Sequence, residues 1–541
     1  MRWQVGLFLV AVPAVVLAQQ PQNPYGQAPP SGPAQQQYPY YPPPQQQYPY
    51  YPPPRTAQPP QQVVAPQPAA PARLTLATRS MEVAQLVTGC ANALDNYHLD
   101  VARKRCGEAL AKEDTLAFTH YLLAQADAPD VANKELARAT ELAKSASRGE
   151  QLFIEAYRAM FQARTADAKK AYDELVKTLP GDARALVARG QFRQTALADL
   201  DGAVTDYTRA IELDAKYPAA YNFLAWAEAD RGKLQEAQAA LKKYVDLAPT
   251  EANAYDSLAH MALRRGATDE AVAQAKKALQ VDPSFVVAHA VLGDALLFSG
   301  KGKEARRSYA ALIATDDPQI HHDGAMREAR SWLFDGRYGD GERALSAEAD
   351  LSAKTKRPGD QADALVELAR VQLDRNALSE AGQTLRLARA VLEAPDNAGV
   401  LTEGQRRGLS SEAIHVRAMV LAAIGERGLA EQRADEMGVV LKMGGDAKAG
   451  QKATALKGWI AARNGDDKVA VGELAQATRP TLRLAWALAL VRGGEEGKAR
   501  AVFDELARRM VNDLEGALTK PRAGAWLKQH AGAEAQVQQQ P

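Results

Sequence analysis

The sequence predicts an all-α protein, an α-solenoid of antiparallel helical hairpins, preceded by a signal peptide and a disordered arm rich in Pro, Gln and Tyr. Three observations carry that prediction. Hydrophobic residues make up 46% of the chain but aromatics only 6%, a balance that suits helices packed closely through alanine better than a β-sandwich. At 541 residues the chain exceeds what one hydrophobic core usually serves, so it must divide or repeat. And between about residues 218 and 317 it repeats itself every 34 residues.

The N-terminus reads as a targeting segment, residues 1–18. Arg2 gives a short positive start, Val5 to Ala18 is almost unbroken in its apolar character, and Val16, Leu17 and Ala18 offer a cleavage site. The run is shorter than the ~20 residues a spanning helix needs. An uncleaved anchor is the other reading of it. No cysteine follows the run, which argues against a lipoprotein anchor.

Residues 19–73 change character. Arg55 is the only charge before Arg73, and Gln35–Pro44 recurs unchanged as Gln45–Pro54. Such a segment buries no core and is expected to be extended, largely as polyproline II. Two readings stay open: a spacer, or a docking tract whose Tyr40, Tyr41, Tyr50 and Tyr51 stack on a partner or on cell-wall polymer. Residues 531–541 read as a short disordered tail, leaving 74–530 for the solenoid, clearest over 184–317.

In the repeat, Leu224, Leu258 and Leu292 share a column, followed by the small residues Ala225, Ala259 and Gly293. Gly232, Gly266 and Gly300 come seven residues after this notch, and Ala237, Ala271 and Ala305 five later. The glycine ends a first helix. The alanine lies on a second helix and is expected to fit the notch. Pro249 and Pro283 close two units, because proline cannot continue the ladder. The offsets of seven and five persist at Ala418, Gly425 and Ala430, at Gly458, Gly465 and Ala470, and at Ala487, Gly494 and Ala499. About twelve hairpins are expected between 82 and 510, with less regular ones at 115–145 and 322–352. Gly190 sits thirteen residues before Ala203 where twelve is the rule, so that unit carries one extra residue.

This pattern resembles the tetratricopeptide repeat family. The family's early aromatic stands as Tyr221 and Tyr255, its large second-helix residue as Leu241 and Tyr309, and its late alanine as Ala278. The resemblance implies a right-handed superhelix whose first helices line a concave face, where peptides or partner helices bind. On that face it places Asn222, Trp226, Asp230, Asn253, Asp256, His260, Arg264, Asp294 and Phe298, with Trp226 the sharpest hot-spot candidate. Trp486, by contrast, falls in a core column.

Other chemistry finds little support. Lys and Arg number 66 against 65 Asp and Glu, which leaves no bulk charge to draw nucleic acid. The chain carries no Walker loop, GxSxG elbow or HExxH motif, and no cofactor is expected. His321, His322 and Asp323 read as loop polarity, since adjacent residues point to different faces of a helix and no further ligand cluster supports them. If Cys90 faces Ala102, Cys106 lies a turn beyond and the pair exceeds the ~7 Å reach of a disulfide, so free thiols are expected. The expected function is a non-enzymatic scaffold of the bacterial envelope, periplasmic or envelope-associated, binding one or more proteins in the groove. The alternative is a wall-associated structural protein acting through the arm.

Overall fold

The computed structural model describes residues 72–530 except 128, 163, 398–399 and 447. The expected signal peptide, the arm up to Pro71 and the tail after His530 lie outside the described residues. Among those described there are twenty-five α-helices and no strand.

They run as hairpins. The first three are α1 (Met81–Asp95) with α2 (Leu99–Lys112), α3 (Ala117–Ala126) with α4 (Pro129–Leu142), and α5 (Arg148–Phe161) with α6 (Thr165–Thr178). Next come α7 (Ala183–Phe192) with α8 (Leu200–Leu213), α9 (Pro218–Asp230) with α10 (Leu234–Leu247), and α11 (Ala252–Arg264) with α12 (Thr268–Val281). Then follow α13 (Ala288–Phe298) with α14 (Gly302–Ile313), α15 (Pro318–Phe334) with α16 (Tyr338–Lys354), and α17 (Pro358–Asp374) with α18 (Leu378–Glu393). The last three pairs are α19 (Glu403–Ala423) with α20 (Arg427–Met443), α21 (Ala449–Arg463) with α22 (Asp467–Leu474), and α23 (Pro480–Arg492) with α24 (Glu496–Arg508). A twenty-fifth helix, α25 (Leu514–Gln529), is the last among the described residues. Each helix packs on its neighbours in sequence, which is how an α-solenoid buries hairpins that have no core of their own.

The less regular stretches at 115–145 and 322–352 both form hairpins. Gly232, Gly266 and Gly300 adopt φ of +81°, +77° and +76°, the left-handed geometry that turns each first helix toward its second. The extra residue after Gly190 is absorbed by a π-helical turn over Arg193–Leu197, closed by left-handed Ala198.

The partner of the notch differs from the expectation. A Cβ on Gly293 would stand 2.2 Å from Tyr309 Cε1, one on Gly190 2.5 Å from Tyr207 Cε1, and one on Gly458 2.9 Å from Leu474 Cγ. In these units the notch receives a large residue sixteen positions later, or seventeen where the Gly190 unit carries its extra residue, one turn beyond the alanine. The same spacing joins buried Ala156 to Tyr172, Ala225 to Leu241, Ala369 to Leu385 and Ala487 to Phe503.

Cys90 and Cys106 occupy these two columns in the first unit, and they form a disulfide, with Cα atoms 5.4 Å apart and a sequence separation of 16. The expectation of free thiols fails because it set Cys90 opposite Ala102. The turn centres near His98, so residues equidistant from it face each other.

The first hairpin also reaches far along the chain. Arg184 at the start of α7 donates to Asp95 at 2.8 Å, and the Tyr217 hydroxyl donates to Asp95 at 2.9 Å. Tyr244 donates to Asn96 at 2.5 Å, His98 lies 2.8 Å from Glu251, and Arg103 pairs with Asp317 at 3.0 Å. The turn of the first unit thus lies against the starts of several later first helices.

Candidate protein-binding groove

The residues just after each notch form two columns along successive first helices. One residue past the notch stand Trp226, His260, Asp294, Arg330 and Arg370; five past it stand Asp230, Arg264, Phe298, Phe334 and Asp374. Residues four apart share one helix face, so both columns line the same side of the solenoid.

On α9 and α11 the columns make a self-bonded ladder. The Trp226 indole lies edge-on to the His260 ring at 5.5 Å, and its N–H donates to the Ser257 hydroxyl at 3.4 Å. The Arg264 guanidinium lies 4.9 Å over the indole and donates to Asp230 at 3.1 Å, with Gln194 donating to the other carboxylate oxygen at 2.8 Å. Ser257 donates to Asn222 at 2.8 Å. Asn253 donates to Tyr244 at 3.1 Å and serves the rim contact of the first hairpin.

One group in this ladder is incomplete. Asp256 is only 9% exposed, and its Oδ1 has no hydrogen-bond partner among the described residues. Burial pushes its carboxyl up to about 7, and the more distant Arg327 charge only partly counters this. His260, 3.7 Å away, is held well below the ordinary imidazole value by burial and by the Arg327 and Arg264 charges, so it stays neutral. The amide nitrogen of Asn222 also lacks a partner.

Asp294 and Phe298 stand differently: the chain itself covers them. Asp294 accepts hydrogen bonds from the Tyr309 hydroxyl at 2.8 Å and from Asn512 at 2.9 Å, and pairs with Arg327. The Phe298 ring meets Phe334 edge-on at 5.5 Å and carries Lys520 at 5.4 Å. The nine expected groove residues thus fall into three groups. Trp226, Asp230, Asp256, His260 and Arg264 form one interacting cluster with Asn222 beside it, Asn253 belongs to the rim, and Asp294 and Phe298 lie under the C-terminal segment.

What the residue pattern missed is that segment. Leu514, Ala517 and Leu518 of α25 pack into the cluster formed by Met326 and Leu333 of α15, Val366 of α17 and Val416 of α19. Gly516 would place a Cβ 3.6 Å from Phe334 Cζ. The Glu515 carboxylate accepts from Arg370 at 3.1 Å, from Arg479 at 2.6 Å and from Thr481 at 2.9 Å. Arg522 forks onto Asp374 at 2.8 and 2.6 Å. Phe334, Arg370 and Asp374 belong to the same two columns, and Arg479 and Thr481 stand at the start of α23, so α25 lies along the concave face. Its Pro521 and its lack of a notch hide it from repeat spacing.

The histidine pair is likewise placed by packing. His321 and His322 lie on α15 and not in a loop. His322 sits 2.8 Å from Glu348 and 3.5 Å from Asp363. Burial lowers its basicity, but Asp360, Asp363 and Glu348 outweigh that and raise it to about 10. The site is a buried ion-pair cluster. Among the described residues no group of three or more His, Cys, Asp and Glu is arranged to hold a metal ion, and no helix is long and apolar enough to cross a membrane. Trp486 is a packing residue, donating to the Val471 carbonyl at 3.1 Å.

Stacked hairpins, most with a small residue under a large one about sixteen positions on, define an α-solenoid repeat protein. Two stretches of it, residues 218–251 and 262–328, match the tetratricopeptide repeat family. No curated protein matches the chain in sequence. Among solved structures it is similar to a tetratricopeptide repeat protein of Thermus thermophilus, at 23% identity over 35% of this chain and 99% of that one, with TM-score 0.30. It is similar also to one from Parabacteroides merdae, at 12% identity over 50% of this chain and 92% of that one, with TM-score 0.32. A third is pilF of Pseudomonas aeruginosa, at 17% identity over 41% of this chain and 91% of that one, with TM-score 0.30. Such repeats are typically a non-catalytic module for holding proteins.

Proposed function

We propose that this chain is a non-enzymatic scaffold of the bacterial cell envelope that grips partner peptides or helices on the concave face of its central repeats. The observation that carries the reading is the ladder at α9 and α11. There a buried Asp256 oxygen lacks a donor beside Trp226, His260 and Arg264. A buried polar atom left without a partner calls for an explanation, and a donor supplied by a bound chain is one. Trp and Arg at a partly desolvated site are the residue types that dominate protein interfaces. Envelope placement is supported by the basic-then-apolar start of residues 1–18.

The test is photo-crosslinking in cells from a photoreactive residue at position 264, followed by mass spectrometry of the adducts, with Trp226→Ala as control. One or a few adducts that vanish in the control support the groove. Adducts unchanged by the control, or none but the chain itself, would sink it. Fractionation of the same cells checks the compartment. The second reading, placement through the arm, is favoured by the unchanged recurrence of Gln35–Pro44 as Gln45–Pro54. Deleting residues 19–73 should then release the protein from the envelope fraction while leaving the adducts intact.

A further inference from the structure

The concave face of α13, α15 and α17 already holds an occupant, and the chemistry of that occupant is on display. Three features read together. First, α25 is seated by its N-terminal half: Leu514 to Thr519 are all buried, while beyond them Pro521 and Arg522 are exposed and only Ala523 is buried again. Second, its grip is largely ionic. Burial raises the Glu515 carboxyl, but Arg479 and Arg370 overcome that and hold it down at about 2. Third, the arginines behind it are partnered without it, and of the acids only Asp374 would lose an ion pair, the one to Arg522. Arg370 donates to Glu412 at 2.9 Å, Arg479 forks onto Glu412 at 2.8 and 2.9 Å, and Arg330 donates to Glu367 at 3.0 Å. Asp294 keeps Tyr309 and Arg327.

Removing one member of a buried ion pair is costly when it strands a charge. Here the departure of Glu515 strands none, because Glu412 still bridges both arginines. Around the seat of Glu515 the vacated face would carry two arginines against one glutamate, an excess of one positive charge suited to a carboxylate, while Asp374 farther along would be left for a basic group. Arg509–Asp513, between α24 and α25, has no regular structure and supplies a hinge.

We propose that α25 is a resident pseudo-ligand. The concave face of α13–α17 is then a helix-binding groove, and its partner is an amphipathic helix that opens with acidic residues and continues with an apolar stripe. The occupant α25 shows that pattern as Asp513, Leu514, Glu515, Ala517 and Leu518. Partner binding and α25 seating exclude each other. This deepens the scaffold reading and rests on it, but it concerns a different stretch of the face from the Trp226 ladder.

The experiment uses the full chain. Hydrogen exchange on the wild type compares the amides of 514–529 with those of α15 and α17. The proposal expects the former to exchange at least about ten-fold faster, through opening of α25 alone. A fluorescein-labelled peptide of residues 512–530 is then titrated by anisotropy against the wild type, Glu515→Lys, and Glu515→Lys with Arg370→Ala. Binding should be roughly ten-fold or more tighter to Glu515→Lys than to the wild type, and lost again when Arg370 is removed. Equal exchange of α25 and α15, global unfolding of Glu515→Lys, or an opened variant that ignores the peptide would each overturn the proposal. None of these results touches crosslinking at position 264, which fails or succeeds separately.

Discussion

Tyr309 lies over Gly293 so closely that a single added carbon on the glycine would stand 2.2 Å from the ring. The hydroxyl at the far end of that ring donates to Asp294, the residue after the glycine. One side chain thus fills the notch of its hairpin and fixes a carboxylate on the concave face. Gly293→Ala should therefore cost about 1–3 kcal/mol, the usual penalty of overpacking. It should also loosen the Asn512 contact, since Asn512 donates to both Asp294 and the Tyr309 hydroxyl. Adding Tyr309→Leu, which copies the Ala225 and Leu241 pair, should recover the packing part of the loss and not the hydrogen bonds. Chemical denaturation of the three variants checks this. Equal stability of Gly293→Ala and the wild type would refute it.

The disulfide joins the same two columns in the first hairpin. Its reduction should destabilise that hairpin by about 3 kcal/mol, on the chain-entropy estimate for a loop of this size. The central repeats should be little affected, because a solenoid unit depends chiefly on its neighbours. Cys90→Ala with Cys106→Leu restores the small-to-large pairing seen at Ala225 and Leu241, so it should lose less than Cys90→Ser with Cys106→Ser. Limited proteolysis with and without reductant reads the difference at residues 81–112.

These two cases show how much could be read from residue order. The hairpins were legible because a notch, a helix-ending glycine and a small second-helix residue recur at fixed offsets, and those offsets are local geometry. The extra residue after Gly190 was legible for the same reason, as a departure from the offset. What fills the notch was not, since it depends on the axial register of two helices, which the position of the turn sets. That one-turn difference also decides whether Cys90 meets Cys106. The ladder residues on α9 and α11 were legible as a face, but the covering of Asp294 and Phe298 was not. It is made by Asn512 and by α25 after it, a segment that returns to the concave side from more than 200 residues later and carries no repeat signal.

Protonated His322 stabilises the packing of α15 on α16 and α17 through Glu348 and Asp363. Its folded value, raised to about 10, lies above the ordinary 6.5. The contribution is therefore complete below pH 6.5 and is lost as pH rises toward 10. Thermal unfolding of the wild type should show a falling midpoint across that window. His322→Gln should unfold at a lower temperature at pH 6 and show a flatter dependence above it. Parallel curves for the two proteins would exclude the histidine as the cause.

Asp256 gives the same sign in a lower window, with the charged form now the unfavourable one. Its carboxyl, pushed up to about 7 by burial, binds its proton more tightly in the folded chain than the ordinary 3.8. Folding therefore loses stability as pH rises from about 4 to about 7. Asp256→Asn removes the ionisable group and keeps its shape. The variant should match the wild type at pH 4 and be the more stable of the two at pH 8, as differential scanning calorimetry would read. If the unpartnered oxygen is there to receive a donor from a bound chain, the same substitution should weaken crosslinking at position 264. Stability gained and binding lost at one residue is the signature of a site held in tension for function. Stability gained with crosslinking unchanged would mark Asp256 as a tolerated flaw of the core and return the search to Trp226 and Arg264.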